Sequence, residues 1–226
     1  MKNVRLIEIE LHSYCNRKCE FCPNSYIDRT FKRRLNIEKL YINVIVPLKN
    51  IEYSGYISFS RYNEPLADRE HLINVLKLFN LHLPKAKLVF NTNGDYNTKN
   101  IPYADITIMD YDNLLPFVPN DRGGSLKQYS KVKRTIPCYE PKYFIGVDYT
   151  GDVVPCCNIR GDNINHKKFI FGNIYNDSII SIYNNISSKK FRQNCELGNF
   201  SEICKYCSKK PGRYTRDKPD KNGDMT

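Results

Sequence analysis

Residues 4–22, VRLIEIELHSYCNRKCEFC, decide how the rest of the chain is read. Val4, Leu6, Ile7, Ile9 and Leu11 alternate in part with Arg5, Glu8 and Glu10, so residues 4–12 predict a half-buried strand. Directly after it, Cys15, Cys19 and Cys22 form a Cys-x3-Cys-x2-Cys loop within a polar stretch, residues 13–32. Three thiolates can hold three irons of a four-iron cube and leave the fourth iron open to a ligand. The alternative is a zinc ion completed by His12, since spacings of two to four residues also suit zinc.

Working outward, a helix is expected after the capping candidate Asn36, with Ile37, Tyr41, Val44 and Leu48 at helical spacing and Pro47 ending or kinking it. A strand over 56–60, a loop over 61–66, and a helix capped by Asp68 with Leu72, Val75, Leu76 and Phe79 on one face follow. Residues 88–90 and 106–109 read as strands around the turn Asn91-Thr92-Asn93-Gly94, with no room for a full helix between them. Strands alternating with helices predict an α/β fold, a partial (β/α) barrel of parallel strands over residues 1–136 with its chemistry at the carboxyl edge.

The character changes at Pro137. Residues 143–148 and 152–154 flank Tyr149-Thr150-Gly151 as a β-hairpin, and Asp177 is expected to cap a helix with Ile179, Ile182, Tyr183 and Ile186 inward. Residues 137–210 are thus expected to form a small α+β domain, and residues 211–226 a disordered tail. Cys138, Cys156, Cys204 and Cys207 fall here and could close a four-thiolate site around a second cluster, with a structural zinc site as the alternative. Gly151-x4-Cys156 favours Cys156 over Cys157; Cys157 and Cys195 are read as buried free thiols.

Composition limits the alternatives. A chain of 226 residues with 41% hydrophobic and 26% charged residues has room for one sizeable core. Nine cysteines without a signal peptide point to metal ligation rather than disulfides, hence to a soluble, cytoplasmic protein. The net charge of +11 is dispersed apart from Lys32 to Arg34 and a basic run near the C-terminus, which argues for a solvated surface over a nucleic-acid site. No apolar run is long enough for a membrane span.

The Cys15–Cys22 loop resembles the signature of the radical S-adenosylmethionine superfamily. The resemblance covers residues 4 to about 110, and implies adenine packing for Phe21. Tyr62-Asn63-Glu64-Pro65 is similar to the stretch that contacts the methionine amino group, through Asn63 and Glu64. Asn91, Thr92 and Asn93 resemble the ribose-contacting stretch. Residues 137–210, including Phe171-Gly172-Asn173-Ile174, resemble the twitch extension, the one-cluster short form of the SPASM domain. The implied cofactors are a catalytic three-cysteine [4Fe-4S] cluster, an auxiliary four-cysteine [4Fe-4S] cluster and S-adenosyl-L-methionine. The implied activity is hydrogen abstraction by a 5′-deoxyadenosyl radical, with flavodoxin or ferredoxin as electron donor.

Asp121-Arg122-Gly123-Gly124 resembles a stretch of cyclitol-oxidising twitch enzymes whose arginine lies near the substrate, which makes Arg122 the substrate-site candidate. Oxidation of a hydroxyl-bearing carbon on a small polar carbohydrate or cyclitol is the leading expectation. A peptide-modifying radical enzyme is the second, and a non-catalytic iron–sulfur or zinc module the third.

Overall fold

The computed structural model describes Met1 and residues 3–109, 121–129 and 133–207. Strands β1 (Leu6–Ile9), β2 (Tyr56–Ser58), β3 (Lys87–Thr92), β4 (Ala104–Ile108), β5 (Phe144–Val147), β6 (Asp152–Val154) and β7 (Gly172–Asn173) form one sheet in the order β4-β3-β2-β1-β5-β6-β7. The pairs β1–β2, β2–β3, β3–β4 and β1–β5 are parallel, while β5–β6 and β6–β7 are antiparallel. The α/β sheet with a parallel core is therefore present, and its parallel strands bring their carboxyl ends to one edge.

Period two sorts β1. Ile7 and Ile9 sink into the main core, and the intervening acids turn to the other face, where Glu10 is also fully buried. A wholly buried acid must find partners, and these prove to be part of the site. Helices α1 (Ile37–Leu40) and α2 (Val46–Asn50), joined by a π-helical segment over Tyr41–Ile45, connect β1 to β2; α3 (Arg69–His82) connects β2 to β3. Right-handed crossovers put both on one face of the sheet. Leu40, Val44, Leu48, Leu72, Leu76 and Phe79 meet Ile7, Ile9 and Ile57 there. Between β3 and β4 there is no helix among the described residues, as the short spacing predicts, and the short α4 (Glu140–Tyr143) leads into β5.

Four local expectations change. Pro47 neither ends nor breaks its helix: the backbone widens to π geometry just before it, Val46 N–H reaching Tyr41 O, and α2 runs on to Asn50. A π segment re-registers the carbonyls that a proline ring would otherwise meet. Asn36 does cap, accepting from Lys39 N at 2.9 Å. Asp68 does not: Arg34 takes its carboxylate, Nε–Oδ2 at 2.7 Å and Nη2–Oδ1 at 2.9 Å. Ser178 rather than Asp177 caps α5 (Ile179–Asn184), accepting from Ser181 N at 3.1 Å. Asn185 then opens α6 (Ile186–Glu196), which leaves Ile186 85% exposed instead of inward.

The expected hairpin is β5–β6. Asp148 closes its turn, Oδ1 accepting from Thr150 N at 2.8 Å, Thr150 Oγ1 at 2.6 Å and Asp152 N at 3.0 Å. Because β5 also pairs with β1, this part of the chain extends the core sheet, and Ile174, Ile179 and Ile182 pack into the main core. Val154, Ile159 and Phe169 form a smaller cluster beside Cys156 and Phe191 of α6. Residues 211–226, the expected tail, lie outside the described residues.

Gly151 has φ +85°, and a Cβ there would stand 2.7 Å from Asn173 Oδ1. Gly151→Ala is expected to cost about 1–2 kcal/mol from the left-handed backbone alone. Thermal melts should show a midpoint lower by roughly 2–8 °C, at about 2–4 °C per kcal/mol for a chain of this length. An unchanged midpoint would mean that the turn is not under this constraint.

Candidate functional site

The loops that follow β1, β2 and β3 meet at the carboxyl edge of the sheet. The first carries Cys15, Cys19 and Cys22, all partly exposed and none in a disulfide. Its chain is folded back on itself by Ser13 N–Arg33 O at 3.0 Å, Cys15 N–Arg29 O at 3.3 Å and Leu35 N–Leu11 O at 2.8 Å. A tight turn, Cys22 N–Cys19 O at 2.9 Å, brings the second and third cysteines together. Burial pushes the Cys15 thiol up to about 11, and Cys22, Glu64 and Cys19 add negative charge around it. Thiols placed so ionise against a strongly positive partner such as an iron cluster.

Among the described residues, no three Cys, His, Asp or Glu side chains close on a single metal-ion position. His12, the residue that would complete a zinc set, is 1% exposed, and the charges acting on it are those of Asp68, Glu10 and Lys32. Burial lowers it to about 4 and keeps it neutral.

Glu64 joins all three loops. Its backbone N–H donates to Tyr14 O, beside Cys15, at 3.0 Å. Its side chain is 2% exposed: Oε1 accepts from Leu66 N at 3.1 Å and Thr92 Oγ1 at 2.7 Å, and Oε2 accepts from Asn93 N at 2.8 Å. Burial raises its pKa, and these three hydrogen bonds oppose the shift. A carboxylate oxygen can accept twice, so Oε2 keeps capacity for a further cationic donor. A second tie lies at the surface. Asn93 Nδ2 donates to Asn16 Oδ1 at 2.9 Å, Asn16 Nδ2 to Asp95 Oδ2 at 2.7 Å, and Arg17 Nε to the same oxygen at 2.7 Å.

The other expected site residues divide. Asn63 is buried and turned inward, accepting from Arg61 N at 3.2 Å and donating to Phe59 O at 3.4 Å. Thr92 is buried on Glu64, whereas Asn91, the last residue but one of β3, exposes its side chain and donates its backbone N–H to Ser60 Oγ at 2.9 Å. Phe21 is half-buried in the cysteine loop.

On the inner face of β1, Glu10 Oε1 accepts from Arg29 Nη1 at 2.9 Å and from Tyr62 N at 3.1 Å. Arg29 also pairs with Asp162, which Arg160 grips at 2.8 Å through both Nε and Nη2. Arg160, 1% exposed, lies over the Tyr62 ring at 4.2 Å and donates to Asn24 Oδ1 at 3.0 Å. This chain of ions ties the cysteine loop to the region after β6. Arg122 has φ +48°, and its charge acts on the Tyr62 phenol. Its turn is fastened by His166, whose Nδ1 accepts from Arg160 N at 3.0 Å, leaving Nε2–H to donate to Gly123 O at 2.7 Å.

A second cavity is shared by Cys138, Cys156, Cys195, Cys204 and Cys207, with Arg134 at its edge. Cys156, not Cys157, faces it; the Cys157 carbonyl instead accepts from Tyr62 Oη at 2.6 Å. Burial raises the Cys156 thiol, with Cys157, Cys204, Cys207 and Cys138 adding to the rise, and raises Cys138 to about 11. Cys204 is lowered to about 7 by a hydrogen bond from Cys195. Asn158 Nδ2 lies 3.5 Å from Cys207 Sγ, and Arg134 Nη1 donates to Cys207 O at 3.2 Å. The four cysteines expected for a cluster thus converge, and Cys195, expected to be a bystander, stands among them. Asn16, Arg17, Asp95, Asn158 and Arg160 were not expected: each acts on a residue far away in sequence or on a motif whose spacing does not include it.

Comparison with known proteins fits this geometry. Residues 138–208 match the SPASM model, an iron-sulfur cluster-binding domain. The chain is 27% identical over 240 residues to the S-adenosyl-L-methionine-dependent 2-deoxy-scyllo-inosamine dehydrogenase of Niallia circulans, covering 90% of this chain and 92% of that protein. Its fold is similar to the crystal structure of BtrN in complex with AdoMet and 2-DOIA, with a TM-score of 0.75 and 25% identity over 94% of this chain and 96% of that one. The fold also resembles Streptococcus suis SuiB bound to the precursor peptide SuiA, with a TM-score of 0.58 and 12% identity over 90% of this chain and 69% of that one. Among the described residues no helix is long and apolar enough to cross a membrane.

Asp148 offers a pH test of the buried face. Burial raises it from 3.8 to about 6, so the fold favours its neutral form. The stability that this preference contributes is fully present below the ordinary pKa and is lost as pH rises through about 6. Asp148→Asn, which stays neutral, should therefore melt higher than the parent at pH 8, with the advantage shrinking toward pH 5. A difference that does not vary with pH would overturn this.

Proposed function

We propose that this chain, which has the radical S-adenosylmethionine layout followed by a SPASM-type auxiliary domain, is a dehydrogenase that oxidises a hydroxyl-bearing carbon of a cyclitol-like or carbohydrate substrate. The observation that carries the reading is the gathering of three motif-bearing loops on the Glu64 carboxylate beside an open three-cysteine loop. The relatedness to a cyclitol dehydrogenase over nearly the whole chain supports the substrate class. When bound, a [4Fe-4S] cluster with S-adenosyl-L-methionine supplies 5′-deoxyadenosyl radical chemistry at carbon, and a second cluster supplies an electron acceptor.

The chain's own residues do the rest. Cys15, Cys19 and Cys22 would hold the first cluster, and Cys138, Cys156, Cys204 and Cys207 the second. Glu64 would receive the cofactor ammonium while its bonds to Asn93 N and Tyr14 O keep the end of β3 and the cysteine loop in place. Asn63 shapes that loop from within, Thr92 and Asn93 fix the end of β3, and Asn91, with its exposed side chain, would contact the ribose while Phe21 would pack on the adenine. Arg122, whose charge acts on the Tyr62 phenol, would orient substrate oxygens, its planar guanidinium fixing two directions at once. The buried Glu10–Arg29–Asp162–Arg160 chain keeps this interior rigid and dry. A low-potential donor such as flavodoxin or ferredoxin completes the set of partners.

Anaerobically reconstituted protein is expected to bind roughly eight irons, and Cys15, Cys19 and Cys22 changed together to Ala should remove about four of them. Glu64→Gln should keep both clusters yet bind S-adenosyl-L-methionine about 10- to 100-fold more weakly, from loss of a charge-assisted bond worth roughly 1.5–3 kcal/mol. One zinc and no cluster absorbance would refute the enzyme reading.

The substrate is tested by label. With the reacting carbon of a cyclitol deuterated, deuterium should appear in 5′-deoxyadenosine, one S-adenosyl-L-methionine should be consumed per ketone, and Arg122→Ala should be strongly impaired. Label recovered from a peptide carbon instead would establish peptide modification.

A further inference from the structure

The auxiliary cavity holds one thiol more than a four-cysteine site uses. Cys195 is 3% exposed in the last turn of α6, and it lines the same cavity as Cys138, Cys156, Cys204 and Cys207. Its backbone is part of the frame: Cys195 O accepts from Cys138 N at 2.9 Å and from Gly198 N at 3.3 Å. Its sulfur lies within hydrogen-bonding reach of Cys204, which sits on the short 3-10 turn Cys204–Tyr206. Both residues line one cavity, one carried by a packed helix and one by a short turn.

The other spare cysteine differs. Cys157 neighbours Cys156 in sequence, but it does not line the cavity, and its sulfur lies 3.8 Å from Asn158 Oδ1. The surplus thiol of the cavity is thus Cys195, and Cys204 is the cavity sulfur to which it hydrogen-bonds.

Resting on the reading that this cavity binds an iron–sulfur cluster, we propose that Cys195 is a reserve ligand for the Cys204 corner: a hydrogen-bond partner of the Cys204 sulfur when Cys204 ligates, and its replacement when it does not. Exchange at that corner swaps one thiolate for another, with the proton passing between the two sulfurs, so neither net charge nor oxidation state changes. Helix α6 holds Cys195 in place for this, since its neighbours Phe191 and Arg192 are anchored, Phe191 on the Phe169 and Phe171 rings and Arg192 on Tyr183 O at 2.7 Å. A hydrogen bond to a cluster sulfur also raises the cluster's reduction potential.

The test uses full-length protein in which Cys15, Cys19 and Cys22 are Ala, so that only the auxiliary site loads. Iron and sulfide content, visible absorbance and the electron paramagnetic resonance spectrum of the reduced cluster are compared for this parent and for further Cys204→Ala, Cys195→Ala, Cys138→Ala and Cys195→Ala/Cys204→Ala variants. Reserve ligation predicts that Cys204→Ala retains the parent's iron with a spectrum distinct from that of the double variant, which loses cluster. Cys138→Ala, which has no reserve thiol, should lose cluster as well. Cys195→Ala should retain the cluster with its potential shifted downward.

Loss of cluster in Cys204→Ala equal to that in the double variant would overturn the proposal, as would identical spectra for those two proteins. Full retention in Cys138→Ala would also overturn it, because the site would then tolerate the loss of any ligand. A parent that binds no iron would instead overturn the auxiliary-cluster reading itself. Circular dichroism of each variant separates ligand loss from misfolding, and Cys204→Ser serves as a second substitution at the corner should Cys204→Ala not fold.

Discussion

A single buried carboxylate sets the arrangement at the carboxyl edge. Glu64 is removed from water, which penalises its charge, and the penalty is offset only if each oxygen finds donors. The donors available are Thr92 Oγ1, Asn93 N and Leu66 N, so the end of β3 must come to the loop after β2. The same residue's N–H reaches Tyr14 O, which draws in the start of the cysteine loop. Three segments about 30 to 50 residues apart in sequence are thereby held at one place by one side chain and its own backbone.

A second constraint acts on the inner face of the sheet. Alternation along β1 forces Glu10 into the interior, where Arg29 neutralises it; Arg29 in turn needs Asp162, and Asp162 needs Arg160. Burial of an isolated ion would be prohibitive, whereas a chain of alternating signs is tolerated when each member is hydrogen-bonded. Its consequence is geometric: the loop bearing Cys15 to Cys22 is tied to residues that follow β6. The two cysteine sites consequently belong to one framework, in which β5 lies directly beside β1.

Tyr62 stands between the two sites. Its backbone N–H goes to Glu10, its ring lies under Arg160, its hydroxyl donates to the Cys157 carbonyl, and the Arg122 charge acts on its phenol. Through Tyr62 the loop after β2 touches the segment carrying Cys156 while Glu64, two residues on, touches the segment carrying Cys15.

The amino-acid sequence by itself determined the features that rest on spacing and period. The alternation in β1, the helical faces of α1 to α3, the Asp148–Gly151 turn and the two sets of clustered cysteines follow from residue types a few positions apart, because helix, strand and turn geometry are local. Which cap closes a helix was only partly legible: Asp68 could have capped α3 but Arg34, distant in sequence, competes for its carboxylate. Only the tertiary structure decided that Glu64 binds Thr92 and Asn93, that Asn16 meets Asn93, that Arg160 stacks on Tyr62, and that Cys195 shares a cavity with Cys138, Cys156, Cys204 and Cys207. Most of those contacts join residues tens of positions apart, up to 98 between Tyr62 and Arg160, and no local pattern records them. They are set by the need of each buried charge and thiol to find a partner once the sheet has brought its loops to a common edge.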